Sequence, residues 1–193
     1  MNQAWYKVTS APSEEPVTLA EASLWAKIDS TDDNDIVTSL IKAARLNAES
    51  YTRRGFVTQT VVAYFDGFYD EMILNRSPIS AITSVKYYDG DDNIQTLATT
   101  VYDYDIISEP GIITLGYNQT WPTTYDKKNA VEVTMTVGYG AASTVPEDIK
   151  TAIKMILTHL YENRQDVIVG RQVNSMPQNS EWLLEPYRVW VHK

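Results

Sequence analysis

The sequence contains no cysteine and only two histidines among its 193 residues. Without cysteine, the chain has no disulfides, no thiolate zinc sites and no cysteine nucleophile. His159 lies inside a helical pattern and His192 next to the last residue, and no His-x-x-x-His pair is present. Since zinc sites need such grouped ligands, we predict neither a metal centre nor a bound cofactor.

Long apolar runs are also missing, because no stretch approaches the roughly 20 apolar residues of a membrane span. The first sixteen residues lack the basic-then-apolar order of a signal peptide. We therefore expect no membrane partner and folding in a cytoplasm. A hydrophobic fraction of 44% is typical of a globular core.

Positive charge is scarce: 16 basic residues face 25 acidic ones, for a net charge of −9. Most of the imbalance lies in residues 56–140, which carry four basic and eleven acidic side chains. Nucleic-acid affinity comes largely from cations that neutralise phosphates. Specific DNA binding is therefore not expected.

No enzyme signature is present. The acidic loop from Asp29 to Asp35 departs from a calcium-binding loop at its sixth position, Asn34, and at its twelfth, Leu40. Gly138-Tyr139-Gly140 is too short for a phosphate-binding loop. Many carboxylates leave open a catalyst with paired acids, but acids in turns are the commoner use and no two of them stand out. The chain is predicted not to be an enzyme.

The clearest periodic segment runs from Asp35 to Gly55 and predicts a long helix. Asp35 is expected to cap its start and Gly55 to end it. The predicted buried stripe consists of Val37, Ile41, Ala44, Ala48 and Tyr51. The predicted solvent- or partner-facing side consists of Lys42, Arg45, Glu49 and Arg53.

Two further helices are predicted. Thr18 and Glu21 have the spacing of a capping box, which starts a helix with a short apolar face of Leu24, Trp25 and Ile28. Pro146 opens the other helix. Its apolar stripe consists of Ile149, Ile153, Ile156, Leu157 and Leu160, and it is expected to end near Asn163.

Between these helices the period changes to two, which predicts about six antiparallel strands with a hairpin tip at Asp89-Gly90. The predicted fold is therefore α+β: a small helical bundle of two N-terminal helices and one C-terminal helix, with an inserted antiparallel β region and an extended C-terminal tail. The predicted boundaries are 1–55 for the N-terminal helices, 56–140 for the β region, 141–164 for the last helix and 165–193 for the tail.

The tail is expected to have little regular structure, and it ends in an apolar, aromatic segment. An irregular segment has little of its own surface against which to bury two tryptophans, so we predict that it contacts a partner. Folding back on its own domain is the alternative. The predicted partner-binding residues are Trp182, Leu183, Leu184, Tyr187, Arg188 and Trp190.

Three stretches in order resemble the head–tail connector family (adaptor, or head-completion, proteins) of tailed bacteriophages. They are EPVTLAEASLWAKID with the long helix after it, PISAITSVKYYDGDDN leading to AVEVTMTVGYG, and VPEDIKTAIKMILTHLYENRQDVIVG with the closing LLEPYRVW. The resemblance covers nearly the whole chain, and YENR and PYRVW are its most telling parts.

The resemblance implies a structural subunit without catalytic residues. Members assemble, usually as twelve copies, into a ring below the portal protein, where they extend the DNA channel and present a platform to the next tail component (stopper, terminator or tail tube). It implies a location in the neck of the virion, after assembly in the host cytoplasm. A β-rich module that binds carbohydrate or decorates a virion remains the alternative.

Overall fold

The computed structural model describes residues 4–163 and 178–190 and has an α+β fold with antiparallel sheets. The chain forms two compact units. Among the described residues, the β unit holds residues 4–13, 58–139 and 189–190, and the helical unit holds 14–57, 140–163 and 178–188. The predicted boundaries differ at both ends of the chain. The N-terminal segment belongs to the β unit, and most of the described tail belongs to the helical unit.

The described part of the helical unit contains four α-helices: α1 (Leu19–Ala26), α2 (Asn34–Thr52), α3 (Glu147–Glu162) and α4 (Gln178–Leu184). A 3-10 turn, Glu185–Tyr187, follows α4. The predicted capping box is confirmed, because the Thr18 side chain accepts from the Glu21 backbone N–H and Glu21 accepts from the Thr18 backbone N–H. Helix α4 corrects the prediction that the tail has little regular structure. Residues 165–177 and 191–193 of the predicted tail lie outside the described residues.

Helices α2 and α3 pack against each other through their predicted stripes. Val37, Ala44 and Ala48 of α2 are fully buried. The equivalent residues of α3, Ile149, Ile153 and Leu157, are also fully buried. These stripes form the core of the helical unit.

The ends of α2 differ from the prediction. The helix begins at Asn34, so Asp35 lies in the first turn, where its charge favours the helix dipole, rather than at the cap. Its C-cap residue is Arg53, in the left-handed region with φ of 57°, and not Gly55. The Arg53 backbone N–H closes the last turn by donating to the Glu49 carbonyl. Helix α2 thus ends at a non-glycine residue, and the chain turns there before it reaches Phe56.

Helix α1 does not bury the apolar face predicted for it. Ala22 is its one buried residue, whereas Leu24 is 83% and Trp25 44% exposed. Helix α1 packs against α2 and α3, so the small side chain of Ala22 sets the contact and the larger apolar residues point away from it.

Among the residues that the structure describes, the β unit contains eight strands, whereas about six were predicted. They are β1 (Trp5–Ser10), β2 (Gln59–Phe65), β3 (Glu71–Leu74), β4 (Ile79–Tyr88), β5 (Ile94–Thr96), β6 (Tyr102–Asp105), β7 (Gly111–Leu115) and β8 (Val131–Val137). One sheet has the order β1-β2-β8-β4-β5 and the other the order β3-β7-β6, and every pairing is antiparallel. Strand β1 was assigned to the helical part of the sequence, and the structure corrects this.

The core of the β unit confirms the period-two pattern. Val131, Val133 and Val137 of β8 are buried and alternate with half-buried neighbours. The largest fully buried side chains of this core are Phe65, Met72, Leu74, Ile113 and Met135. The predicted hairpin tip is also confirmed, since β4 and β5 pair on either side of it and the Asp89 carboxylate accepts from the Asp91 and Asn93 backbone N–H groups.

This packing predicts that truncation of a stripe residue destabilises the helical unit. Ile153→Ala removes a fully buried side chain and is expected to cost about 2–5 kcal/mol, through lost transfer free energy and the cavity left behind. Ile36→Ala, at a position that is 41% exposed on α2, is the matched control and is expected to cost under about 1 kcal/mol. Urea unfolding measures both, and similar losses would contradict this account of the core.

Candidate interaction surfaces

The six residues predicted to bind a partner divide into buried and exposed ones. Leu184 is fully buried, and Leu183, Tyr187 and Arg188 are half-buried. Trp182 is 77% and Trp190 55% exposed. Leu184 therefore fastens α4 to its own unit, and the large exposed surface among the six belongs to the two tryptophans.

Helix α4 and the turn after it are held by hydrogen bonds to α2 and α3. The Tyr51 hydroxyl donates to Glu185 Oε2 at 2.5 Å, and the Tyr187 hydroxyl donates to Asp148 Oδ2 at 3.3 Å. Arg54 Nε donates to the Tyr187 carbonyl. The hydrogen bond to Glu185 raises the pKa of Tyr51, and burial together with the charge of Asp148 raises the pKa of Tyr187. Both phenols are therefore neutral donors at neutral pH.

Arg188, the one cation among the six predicted residues, makes contacts within the helical unit. Its Nη1 lies 3.9 Å from Glu185 Oε2, and its guanidinium carbon lies 5.2 Å from the centre of the Tyr51 ring. These contacts orient the segment that follows α4. Of the predicted partner-binding residues in the helical unit, Trp182 has the most exposed side chain.

A buried ionic cluster corrects the prediction that Arg45 and Glu49 lie on the wet side of α2. Arg45 Nε donates to Glu15 Oε2 at 2.6 Å, and Arg45 Nη1 donates to Glu49 Oε2 at 2.9 Å. The second oxygen of Glu49 accepts from the Phe56 backbone N–H at 3.0 Å. Arg45 and Glu49 are 2% and 6% exposed. Burial alone would lower the pKa of Arg45, but the hydrogen bonds and charges of Glu15 and Glu49 raise it overall.

This cluster has a structural use. The Arg45 guanidinium joins the segment before α1 to α2, and Glu49 joins α2 to the chain that leaves it. Within the described parts of the chain, no three His, Cys, Asp or Glu side chains are grouped so that they could hold a metal ion. Among the same residues, no helix has the length and apolarity needed to cross a membrane.

A second exposed apolar patch of the helical unit lies on α1 and α3, and it was not predicted as a site. Leu24 and Trp25 of α1 form it together with Lys154 of α3, whose Nζ lies 5.0 Å from the centre of the Trp25 ring. These residues follow a helical apolar pattern in the sequence, and that pattern is the same for a buried face and for an exposed one. Only the packing of α1 distinguishes the two.

Comparison with known proteins places this arrangement in a family. The family model described as HCP, head completion protein, matches residues 16–189. The chain belongs to the head completion protein family. The resemblance noted from the sequence is thereby confirmed, and membership supports a structural role at the head–tail junction of a bacteriophage particle. The family is not known as one of enzymes.

Solved structures with the same fold come from gene transfer agent (GTA) particles. A chain from "Neck of empty GTA particle computed with C6 symmetry" has a TM-score of 0.78 at 18% identity, and the match covers 98% of this chain and 97% of that one. A chain from "Virion of native gene transfer agent (GTA) particle" has a TM-score of 0.78 at 17% identity, covering 97% of each chain. A chain from "Neck of native GTA particle computed with C12 symmetry" has a TM-score of 0.72 at 20% identity, covering 98% and 97%. No curated protein matches the sequence.

The ionic cluster generates a prediction about stability. Arg45→Met leaves two carboxylates facing each other in a poorly hydrated site, and removal of one partner from a buried ion pair typically costs about 3–5 kcal/mol. Lys42→Met, an exposed cation on the same helix, is the matched control and should change stability by about 0.5 kcal/mol or less. Urea unfolding at neutral pH measures both. Equal effects of the two substitutions would contradict a structural role for the cluster.

Proposed function

We propose that this chain is an adaptor subunit that forms a ring beneath the portal of a phage-type particle, extends the DNA channel and joins the head to the tail. The observation that carries the proposal is the match of nearly the whole chain to proteins in the necks of particles reconstructed with cyclic symmetry. Sixfold and twelvefold symmetry are both compatible with twelve copies, so we propose a dodecamer. Family membership supports the same role.

Exposed aromatic residues in the predicted docking tail support a subunit of this kind. In the part of the tail that the structure describes, Trp182 and Trp190 both have exposed side chains. Exposed aromatic residues of this size are common anchors in protein interfaces. We propose the portal protein, neighbouring copies and the next tail component as partners, and the virion neck as the location.

The acidic character of the β unit supports passage of DNA without specific binding. Lys128 and the Asn129 backbone lower the pKa of Asp66, and Gln95 and the Asn93 backbone lower the pKa of Asp89. The pKa of Asp105 is lowered too, so these three carboxylates stay charged at neutral pH. Duplex DNA carries about one negative charge per 1.7 Å of its axis. The excess of negative charge on the β unit therefore repels the duplex.

The ring is tested by mixing the purified full chain with the cognate portal and measuring native mass and negative-stain images. We expect a complex whose added mass equals twelve chains, with an annulus of density on the tail-facing end of the portal. A chain that stays monomeric beside its portal would contradict the proposed function. Glycan binding by that monomer would favour the carbohydrate-binding alternative.

The proposed passage of DNA gives a separate expectation. At micromolar protein and moderate salt, the chain should not shift random duplex DNA in a gel, because repulsion between carboxylates and phosphates is not offset by a basic surface. A variant with Asp91→Lys, Asp92→Lys and Asp103→Lys is the positive comparison and should show weak, salt-sensitive binding. A clear shift with the unchanged chain would contradict this part of the proposal.

A further inference from the structure

Helix α1 exposes apolar surface that its own unit does not use. Leu24 is 83% exposed, although Ala22, two residues earlier, is fully buried. Trp25 is 44% exposed, and Lys154 of α3 extends over its ring. We name Leu24, Trp25 and Lys154 the α1 patch. Its chemistry is apolar with a positive charge at the edge.

Helix α4 exposes a second apolar residue in a similar way. Trp182 is 77% exposed, whereas Leu184, two residues later, is fully buried. Residues two apart on a helix point about 200° apart, so the packing of Leu184 turns Trp182 outward. Glu181 adjoins it. We name Glu181 and Trp182 the α4 patch, and its chemistry is apolar with a negative charge at the edge.

The two patches lie on different flanks of α3. On one flank, Lys154 of α3 contacts the Trp25 ring, and its charge with that of Lys150 acts on Glu21 of α1. On the other flank, Asp148 of α3 accepts from the Tyr187 hydroxyl just after α4. Successive residues of a helix are about 100° apart, which places Asp148 roughly 120–160° around α3 from the two lysines. One subunit therefore carries an apolar, cationic patch and an apolar, anionic patch on separate sides.

We infer that the α4 patch of one copy docks on the α1 patch of a second copy. In the arrangement that we infer, one α4–α1 contact leaves one patch free on each copy, so the contact is heterologous, and repeated heterologous contacts close into a ring when the rotation permits. Trp182 supplies an aromatic anchor, the Leu24 and Trp25 side chains supply its apolar seat, and Glu181 meets Lys154 as an opposite charge. This inference rests on the proposed ring and adds which surfaces join its subunits.

A charge exchange tests the pairing with the full chain and the cognate portal. Glu181→Lys and Lys154→Glu, made singly, place like charges across the contact and should each raise the protein concentration needed for ring assembly by about tenfold or more. The two substitutions in one chain restore opposite charges and should return assembly towards the original concentration. Melting temperatures of all three variants, measured without portal, show that each is folded.

A mixing experiment tests the direction of the contact. Trp182→Ala disrupts only the α4 patch, and Leu24→Ser disrupts only the α1 patch. Each variant alone should therefore fail to form rings. An equimolar mixture retains one intact contact per pair of chains and should yield dimers without rings. Trp5→Ala is the control, because Trp5 is 72% exposed in the β unit, and it should leave assembly unchanged.

Three outcomes would overturn the inference. The first is ring formation by Trp182→Ala and by Leu24→Ser at the original concentration. The second is failure of the paired charge exchange to restore assembly in folded protein. The third is loss of binding of single chains to the portal with Trp182→Ala, which would identify the portal as the occupant. In each case the unchanged chain still forms its ring, so the proposed function stands; absence of rings with the unchanged chain would instead contradict that function.

Discussion

The helical unit depends on a buried cation, Arg45, whose charge must be neutralised by neighbouring carboxylates. The Arg45 guanidinium lies between the carboxylates of Glu15 and Glu49, and a charge removed from water is tolerated only when it is paired and hydrogen-bonded. These contacts fix the segment before α1 and the chain after α2, through Phe56, to one point. With both ends of α1–α2 fixed, the apolar stripes of α2 and α3 meet in register, and α4 is held by α3 and by polar residues of α2.

Much of this fold could be predicted from the sequence, because hydrophobic periodicity reports burial directly. That basis is enough to predict the stripe of α2 that includes Val37 and Ile41, the capping box at Thr18 and the alternation in β8. Strand β1 was not, since its residues are mostly exposed at the edge of a sheet and show no alternation of apolar and polar residues. The prediction for Arg45 and Glu49 is wrong because periodicity treats every charged residue as solvated, whereas their pairing with each other, with Glu15 and with the Phe56 backbone makes burial possible.

The candidate surfaces were less predictable than the fold. The sequence drew attention to the aromatic segment near the C-terminus, but it could not show that Leu184 is the internal anchor and Trp182 the exposed one. That distinction depends on which side of a seven-residue helix meets α3. For Leu24 and Trp25 the same helical pattern predicted burial, and the tight contact at Ala22 turned them outward instead. A head completion protein with two such patches carries apolar surface that folding alone does not require, and the proposed ring would bury that surface.

The absence of cysteine allows a direct measurement of the central claim, that neighbouring copies in the neck ring join α4 to α1. A chain with Ala20→Cys and Asn179→Cys carries its only two thiols at exposed positions about one helical turn before Leu24 and Trp182, and it keeps both of those side chains. Assembled on the portal and treated with a short bismaleimide, it should give a ladder of covalent oligomers that ends at the full ring, while each single-cysteine chain stays monomeric. Rings that form normally but yield only monomers after treatment would contradict the claim.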